Sequence, residues 1–379
     1  MRDRVGSRRG VMRWSLGLHV TLLLLIAVGV AGAVLALLWL LLGRPYLASA
    51  GPLKPSETYD AIKIALTVVA GVGGVVALVV AYRRQHFSEA ADLREHAIAM
   101  TTRFGAAAEQ LGSEWPAVRM AGAYAMARVA DDWSEERQTC IDVLCGYLRM
   151  PHDPNPPEET DRLTVWRRER EVRVTVLRLI AAHLRDGALV SWQGCDLDFT
   201  GAVLDGADFR GVRFTGGDVV FVNVVVAGHD KDQVVFDDVE FAEGSSVYFR
   251  SAEFRGGDVR FHRAKFTGGW VTFDGARFTG ADVDFHDAKF EAGEVHFEDA
   301  EFAAGLVDFT GASFQGCKVN FAEYRVEIRY SMAGPARFTG GTVDLSAVAD
   351  FSDPPRFGLT NPPLGLLLPD GIQAADLPQ

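Results

Sequence analysis

Phenylalanine recurs in this chain on a fixed beat. One set, Phe254, Phe266, Phe278, Phe290, Phe302 and Phe314, steps by twelve; a second, Phe261, Phe273, Phe285, Phe297, Phe309 and Phe321, steps by twelve between them. Alanine keeps the same step at 252, 264, 276, 288, 300 and 312, and valine at 259, 271, 283, 295, 307 and 319. A helix of 3.6-residue period would scatter such rings around its axis, and a flat strand would send residues five and seven apart to opposite faces from those two apart. A chain that turns a corner in every unit aims each ring inward instead. So regular a set of columns is the mark of a repeat fold. The composition agrees: the chain has 24 Phe against 8 Tyr and 7 Trp, and 39 Gly available for corners.

The repeat begins in a simpler form. "AVLDGADFRGVRFTG" (Ala202 to Gly216) is three tandem five-residue units, each with a small or apolar residue, any residue, Leu or Phe, and two polar or glycine positions. This resembles the pentapeptide-repeat family, and the later alternation of five and seven residues resembles a variant with longer corners. The resemblance covers about Cys195 to Ser346 and implies a right-handed, four-sided β-helix. Alternating units of five and seven give 24 residues per coil, and about six coils at ~4.8 Å would make a rod roughly 30 Å long. That register predicts His262 over His286, Arg260 over Asp284, Glu294 over Lys318 and, less favourably, Lys265 over Lys289. The pairs Gly256-Gly257 and Gly268-Gly269 are expected at wide corners that need positive φ. The rhythm breaks at Ala227–Gln233, expected to loop outward, and at Glu323–Arg337, which loses its rings. After Ser346 the tail is proline-rich, and Leu364–Leu368 is expected to cover the open end of the coil, where unpaired backbone would otherwise be exposed.

Four segments follow: 1–86, a two-span membrane anchor; 87–190, a small all-α domain; 191–345, the β-helix; and 346–379, the tail. Leu16–Leu42 is apolar apart from His19 and Thr21 and is long enough to cross a ~30 Å hydrocarbon core with tilt; Ile64–Tyr82 is about the minimum length. A cleaved signal peptide is the competing reading, because Ala48–Ala50 resembles a cleavage site, but the first apolar stretch far exceeds the ~7–15 residues of such signals. Arginines 2, 4, 8, 9 and 13 precede the first stretch, and Arg83 and Arg84 follow the second. The positive-inside rule then places both termini on the cytoplasmic side of the plasma membrane. In the middle segment Val118, Ala121, Ala125 and Val129 fall on one helical face, Pro116 suits a first helical turn, and Gly187 closes the last helix. These helices are expected to stack in pairs, with "RRERE" (Arg167–Glu171) as a solvated face. The arrangement also resembles membrane-anchored pentapeptide-repeat proteins of actinobacterial type.

No motif for catalysis, cofactor or metal binding is present: there is no GxGxxG after a strand, no Walker loop, no HExxH and no GxSxG. Cys140, Cys145, Cys195 and Cys317 lack CxxC spacing and are expected as reduced thiols. His262 and His286 follow inward Phe residues and are expected to face solvent as an incidental pair. The twelve phenylalanines are therefore the structural repeat core, and catalytic, cofactor and metal residues are expected to be none. The formal net charge is −12, and Asp196–Asp344, with 26 Asp plus Glu against 14 Lys plus Arg, carries all of it. Such a surface disfavours direct nucleic-acid binding. The expectation is a non-enzymatic, membrane-anchored scaffold whose acidic coil meets a protein partner, with homo-oligomers possible in principle. The family resemblance implies one alternative, a DNA mimic acting on a topoisomerase. An oligomeric transport or sensing protein is another.

Overall fold

The computed structural model describes the backbone of residues 55–227, 233–322, 324–325, 332–357, 363–373 and 376–378, with a few isolated helical positions before residue 41. The chain divides into two compact units, Met1–Ile98 and Ala99–Gln379.

In the first unit the described chain from Pro55 on belongs to helix α1 (Pro55–Leu111), whose last turns lie in the second unit. The stretch Ile64–Tyr82 is helical throughout, and Ile64, Val75, Leu78, Val80 and Tyr82 are exposed. Yet among the described residues no helix is long and apolar enough to cross a membrane, which corrects the expected second span. The first expected span, Leu16–Leu42, lies largely outside the described residues.

The second unit begins with a small helical group: the end of α1, then α2 (Pro116–Asp132), α3 (Arg137–Arg149) and α4 (Thr160–Leu184). Pro116 opens α2 where its missing N–H would have had no partner. The small-residue stretch "AGAYAMA" lets α2 press against the end of α1: a Cβ at Gly122 would sit 2.8 Å from the Gln110 carbonyl carbon. Within "RRERE" only part is solvated. Glu169 accepts from Tyr147 Oη (2.8 Å) and pairs with Arg119 (2.7 Å), and Arg170 reaches into the first coil. The expected solvated face is corrected there, because Glu169 faces α2 and α3 and Arg170 faces the coil.

From Leu197 the chain coils as a β-solenoid of short parallel strands. One face stacks Val234–Val235, Asp258–Arg260, Asp282–Asp284, Leu306–Asp308, Thr342–Asp344 and Leu366–Leu367. A second stacks six strands from Val203–Leu204 to Arg337–Phe338, and the remaining faces share a nine-stranded sheet. In the regular part the register is 24 residues: Val259 pairs with Val283, Phe266 with Phe290 and Val295 with Val319. Lys265 lies over Lys289 as the sequence implied, and Lys318 Nζ is 2.9 Å from Glu294. Arg260 lies over Asp284 in register but turns its guanidinium to Asp237 at 2.5 Å, a carboxylate that is itself buried. The early coils depart from 24, with Leu197 paired to Val219 and Val219 to Val247.

The two breaks are insertions into an otherwise continuous coil. Residues 228–232 lie outside the described residues. At the second break Phe302 pairs with Phe338, thirty-six residues on, so the intervening extra twelve leave the coil. Part of that loop forms an antiparallel pair, Tyr324–Arg325 with Met332–Ala333. Coiling then continues past residue 345: Leu366–Leu367 adds to the strand Thr342–Asp344, and Phe357 stacks on Phe321 at 4.6 Å.

The corners go beyond the sequence expectation. The recurrent left-handed residue is the second after the ring in one set of corners: Asn223, Asp238, Ser251, Arg263, Asp287 and Asp299 all have φ between 54° and 57°. Gly201, Gly211, Gly275 and Gly311 hold the same place. In each such corner the next N–H donates to the ring residue's carbonyl, as Ala264 does to Phe261 at 3.0 Å. The glycine pairs contribute separately, through Gly257 and Gly268.

Candidate functional site

The twelve phenylalanines all point inward and none is more than 1% exposed. With their neighbours they form four columns of stacked rings. One runs Phe199, Phe221, Phe249, Phe273, Phe297, Phe321 at centroid spacings of 4.5 to 4.9 Å. The column Phe209, Phe236, Phe261, Phe285, Phe309 steps by 4.7 to 5.1 Å. Phe254, Phe278, Phe302, Phe338 and Phe214, Phe241, Phe266, Phe290, Phe314 complete the set. Rings stacked this closely are in van der Waals contact. The coil interior is therefore packed with hydrocarbon, and any chemistry of this unit belongs on its outer faces.

The acidic excess has a structural component that the sequence reading missed. Asp198, Asp208, Asp284, Asp308, Asp344 and Asp350 each immediately precede an inward Phe or Leu. Each accepts a hydrogen bond from the backbone N–H two residues on, at 2.7 to 3.0 Å. These are Asx turns at the corners. The signal was legible as "DF" or "DL" at the repeat's ring position. Other carboxylates are free of that duty: Asp258 and Asp282 are exposed on the face that also carries Asp284 and Asp308, and Leu306 joins them in one shallow groove.

A second polar group lies beneath the surface. His296 is 4% and Glu298 1% exposed. Their closest atoms, Nδ1 and Oε1, are 2.9 Å apart, Asn320 Nδ2 donates to the same oxygen at 2.6 Å, and Trp270 stacks on the imidazole at 4.2 Å. Asp274 precedes Glu298 by one coil; burial first, then the neighbouring Glu298 carboxylate, pushes the Asp274 carboxyl up to about 7. Burial opposes the charged imidazole of His296, but its contacts with Glu298 and Asp274 outweigh it and the pKa is raised. The spacing Asp274 to Glu298 was the only sequence signal, and it has meaning only once the coil length is known.

The helical group closes the first coil. Trp192 is fully buried, stacks on His183 at 4.0 Å and donates from Nε1 to Asp131 at 3.0 Å. Arg170 donates to both oxygens of Asp205 (2.6 and 3.1 Å), whose side chain is 4% exposed. Gln138 and the Asp196 backbone exchange two hydrogen bonds, at 2.8 and 3.0 Å. The cysteines are not poised for chemistry: burial pushes Cys140 to about 11 and Cys145 and Cys317 to about 12, and raises Cys195.

Comparison with known proteins gives one family. The model of pentapeptide repeats matches in eight copies, at residues 193–223, and no catalytic family is indicated. No curated protein matches the chain, and no solved structure does. The matched residues open the coil described above, and the strands that follow stack on them in parallel register. Stacked five-residue units with inward rings, together with that match, show pentapeptide repeats at residues 193–223, and the rest of the coil stacks on them.

Proposed function

We propose that this protein is a non-enzymatic scaffold whose acidic solenoid face holds a basic, partly apolar segment of a protein partner, near a membrane. One observation carries the reading: a packed interior leaves only the outer faces for recognition, and one face aligns Asp258, Asp282, Asp284 and Asp308 beside exposed Leu306. Carboxylates fixed on a rigid ladder attract a Lys/Arg-rich segment and repel phosphate backbones. Leu306 supplies apolar area for the stems of those long side chains. Membrane attachment is supported by the composition of Leu16–Leu42 and by the flanking arginines.

The test uses the full chain in its native membrane, with a photo-crosslinking amino acid at position 306. A discrete protein crosslink is expected, and the double variant D258K/D282K is expected to lose it. Crosslinks that persist unchanged in that variant would remove the acidic face from the proposal. Recovery of the full chain in the soluble fraction after cell breakage would remove the membrane from it.

The ordered row of carboxylates also favours a second reading, in which the coil occupies the DNA site of a topoisomerase. Inhibition of supercoiling by detergent-solubilised full chain, lost in D258K/D282K, is its expected signature. No inhibition at large molar excess would eliminate it.

A further inference from the structure

We propose that His262, His286 and Asp287 form a binding site for a divalent transition-metal ion of the Zn2+ class on the outside of the coil. Sequence reading expected the histidines to be an incidental surface pair and expected no metal site. The fold changes their standing, because the 24-residue register brings the two imidazoles together edge to face, with ring centroids 5.2 Å apart. Asp287 adds a carboxylate: its Oδ2 lies 3.6 Å from His262 Nε2 and 3.5 Å from His286 Nε2. One ligand atom from each of the three residues lies within 4.8 Å of the others.

These separations suit a small cation. Ligand atoms about 2.1 Å from a tetrahedral ion stand about 3.4 Å apart along each edge. The two imidazole–carboxylate edges are already within ~0.2 Å of that figure. Closing the third edge needs rotation of half-exposed rings about χ2, a torsion that is broad for histidine. Two imidazoles and one carboxylate favour Zn2+, Co2+, Ni2+ or Cu2+ over Mg2+ or Ca2+, which prefer oxygen ligands. The outward side of the cluster leaves at least one coordination position for water or for a partner's side chain.

The surrounding coil holds the three residues in place. Phe261 and Phe285, the neighbours of the two histidines, are buried and stacked at 4.8 Å. Arg263 N donates to His286 O at 2.9 Å, and Asp287 N to Thr310 O at 3.0 Å, so each carrier backbone is tied to the next coil. In the corner column Asp238, Arg263, Asp287 and Gly311 follow one another. Arg263 is drawn toward Asp238, with two bonds at 2.8 and 2.7 Å, leaving the Asp287 carboxylate to the histidines. A Cβ at Gly311 would collide with Asp287 Oδ1, so glycine keeps the carboxylate's space open. The opposing feature is also Arg263: its Nη1 lies 3.1 and 3.3 Å from the two ring nitrogens of His262. That guanidinium is a competing cation, which makes its removal a diagnostic.

The experiment titrates the purified full chain with Co2+, read by its visible absorption, and then displaces Co2+ with Zn2+. One equivalent of Co2+ is expected to give a band that Zn2+ abolishes. H262Q and H286Q should each weaken Zn2+ binding at least tenfold, and D287N several-fold, while R263G should tighten it several-fold. Zn2+ should also raise the thermal midpoint of the wild type and leave that of the H262Q/H286Q double variant unchanged; circular dichroism confirms that this variant is folded. Wild-type Zn2+ affinity in the double variant, or weaker binding in R263G, would overturn the site.

Discussion

At the scale of single residues, the corner position two places after the ring is the most informative. It is left-handed in every such corner from Phe199 to Phe309, and the chain fills it there with Gly, Asn or Asp except at Ser251 and Arg263. A non-glycine residue there carries strain of ~1–2 kcal/mol, which glycine relieves at an entropic cost of roughly 0.5–1 kcal/mol. Ser251→Gly is therefore expected to stabilise the second unit by about 0.5 kcal/mol, and Ser251→Val to destabilise it by more than ~1 kcal/mol. Urea unfolding of both variants checks the sign. The aspartates before the rings are equally local devices. Asp308 accepts from Thr310 N at 2.8 Å and from its hydroxyl at 2.6 Å. Asp308→Ala should cost about 1 kcal/mol and Asp308→Asn much less, because the amide oxygen still accepts the backbone N–H. Equal losses in the two variants would show that charge, not the turn, matters there.

Elements in this protein are stabilised across coils more than along them, and the polar group at Asp274, His296 and Glu298 shows how that couples to pH. The folded Asp274 carboxyl is raised to about 7 from 3.8, so between those values the folded state binds more protons than the unfolded one. Stability is then fully present below pH ~4 and is lost as pH rises through 7. His296, also raised, acts in the same direction: its contribution is present below 6.5 and fades as pH climbs through the higher folded value. Glu298 is lowered, and that contribution is lost only in acid. The expected result is a second unit more stable at pH 5.5 than at pH 8.5 by on the order of 2 kcal/mol. Asp274→Asn should flatten most of that slope. Thermal melts at matched ionic strength decide it; an unchanged slope in the variant would assign the pH dependence elsewhere.

At the scale of the second unit, the helical group and the coil are joined by buried polar contacts as well as by hydrocarbon. The group covers the first coil's edge, which would otherwise offer unpaired strand backbone. Asp205 is the critical point, since its carboxylate is buried and Arg170 answers it bidentately. Arg170→Ala leaves that charge unpaired and should cost about 3–5 kcal/mol, whereas Arg170→Met with Asp205→Leu should recover most of it. Calorimetry of the wild type should give one transition for residues 99–379. Separation into two in Arg170→Ala would locate the coupling at this pair.

The repeat register, the inward rings and the likeness to pentapeptide repeats were legible in the sequence, because a solenoid's contacts are nearest-neighbour and a fixed residue count converts spacing directly into stacking. For the same reason Glu294 over Lys318 was readable before any coordinates. What needed tertiary structure was everything set by side-chain direction or by contact between unlike parts. Arg260 chose Asp237 over Asp284, Arg170 turned from a charged helix face into the coil, and the extra twelve residues before Phe338 left the ladder. The meeting of Asp287 with two histidines belongs in the same group: register brings His262 and His286 together, but only the left-handed corner turns the carboxylate toward them. Periodicity fixes where a residue sits along the coil; the torsions and the neighbours of that residue decide what it touches.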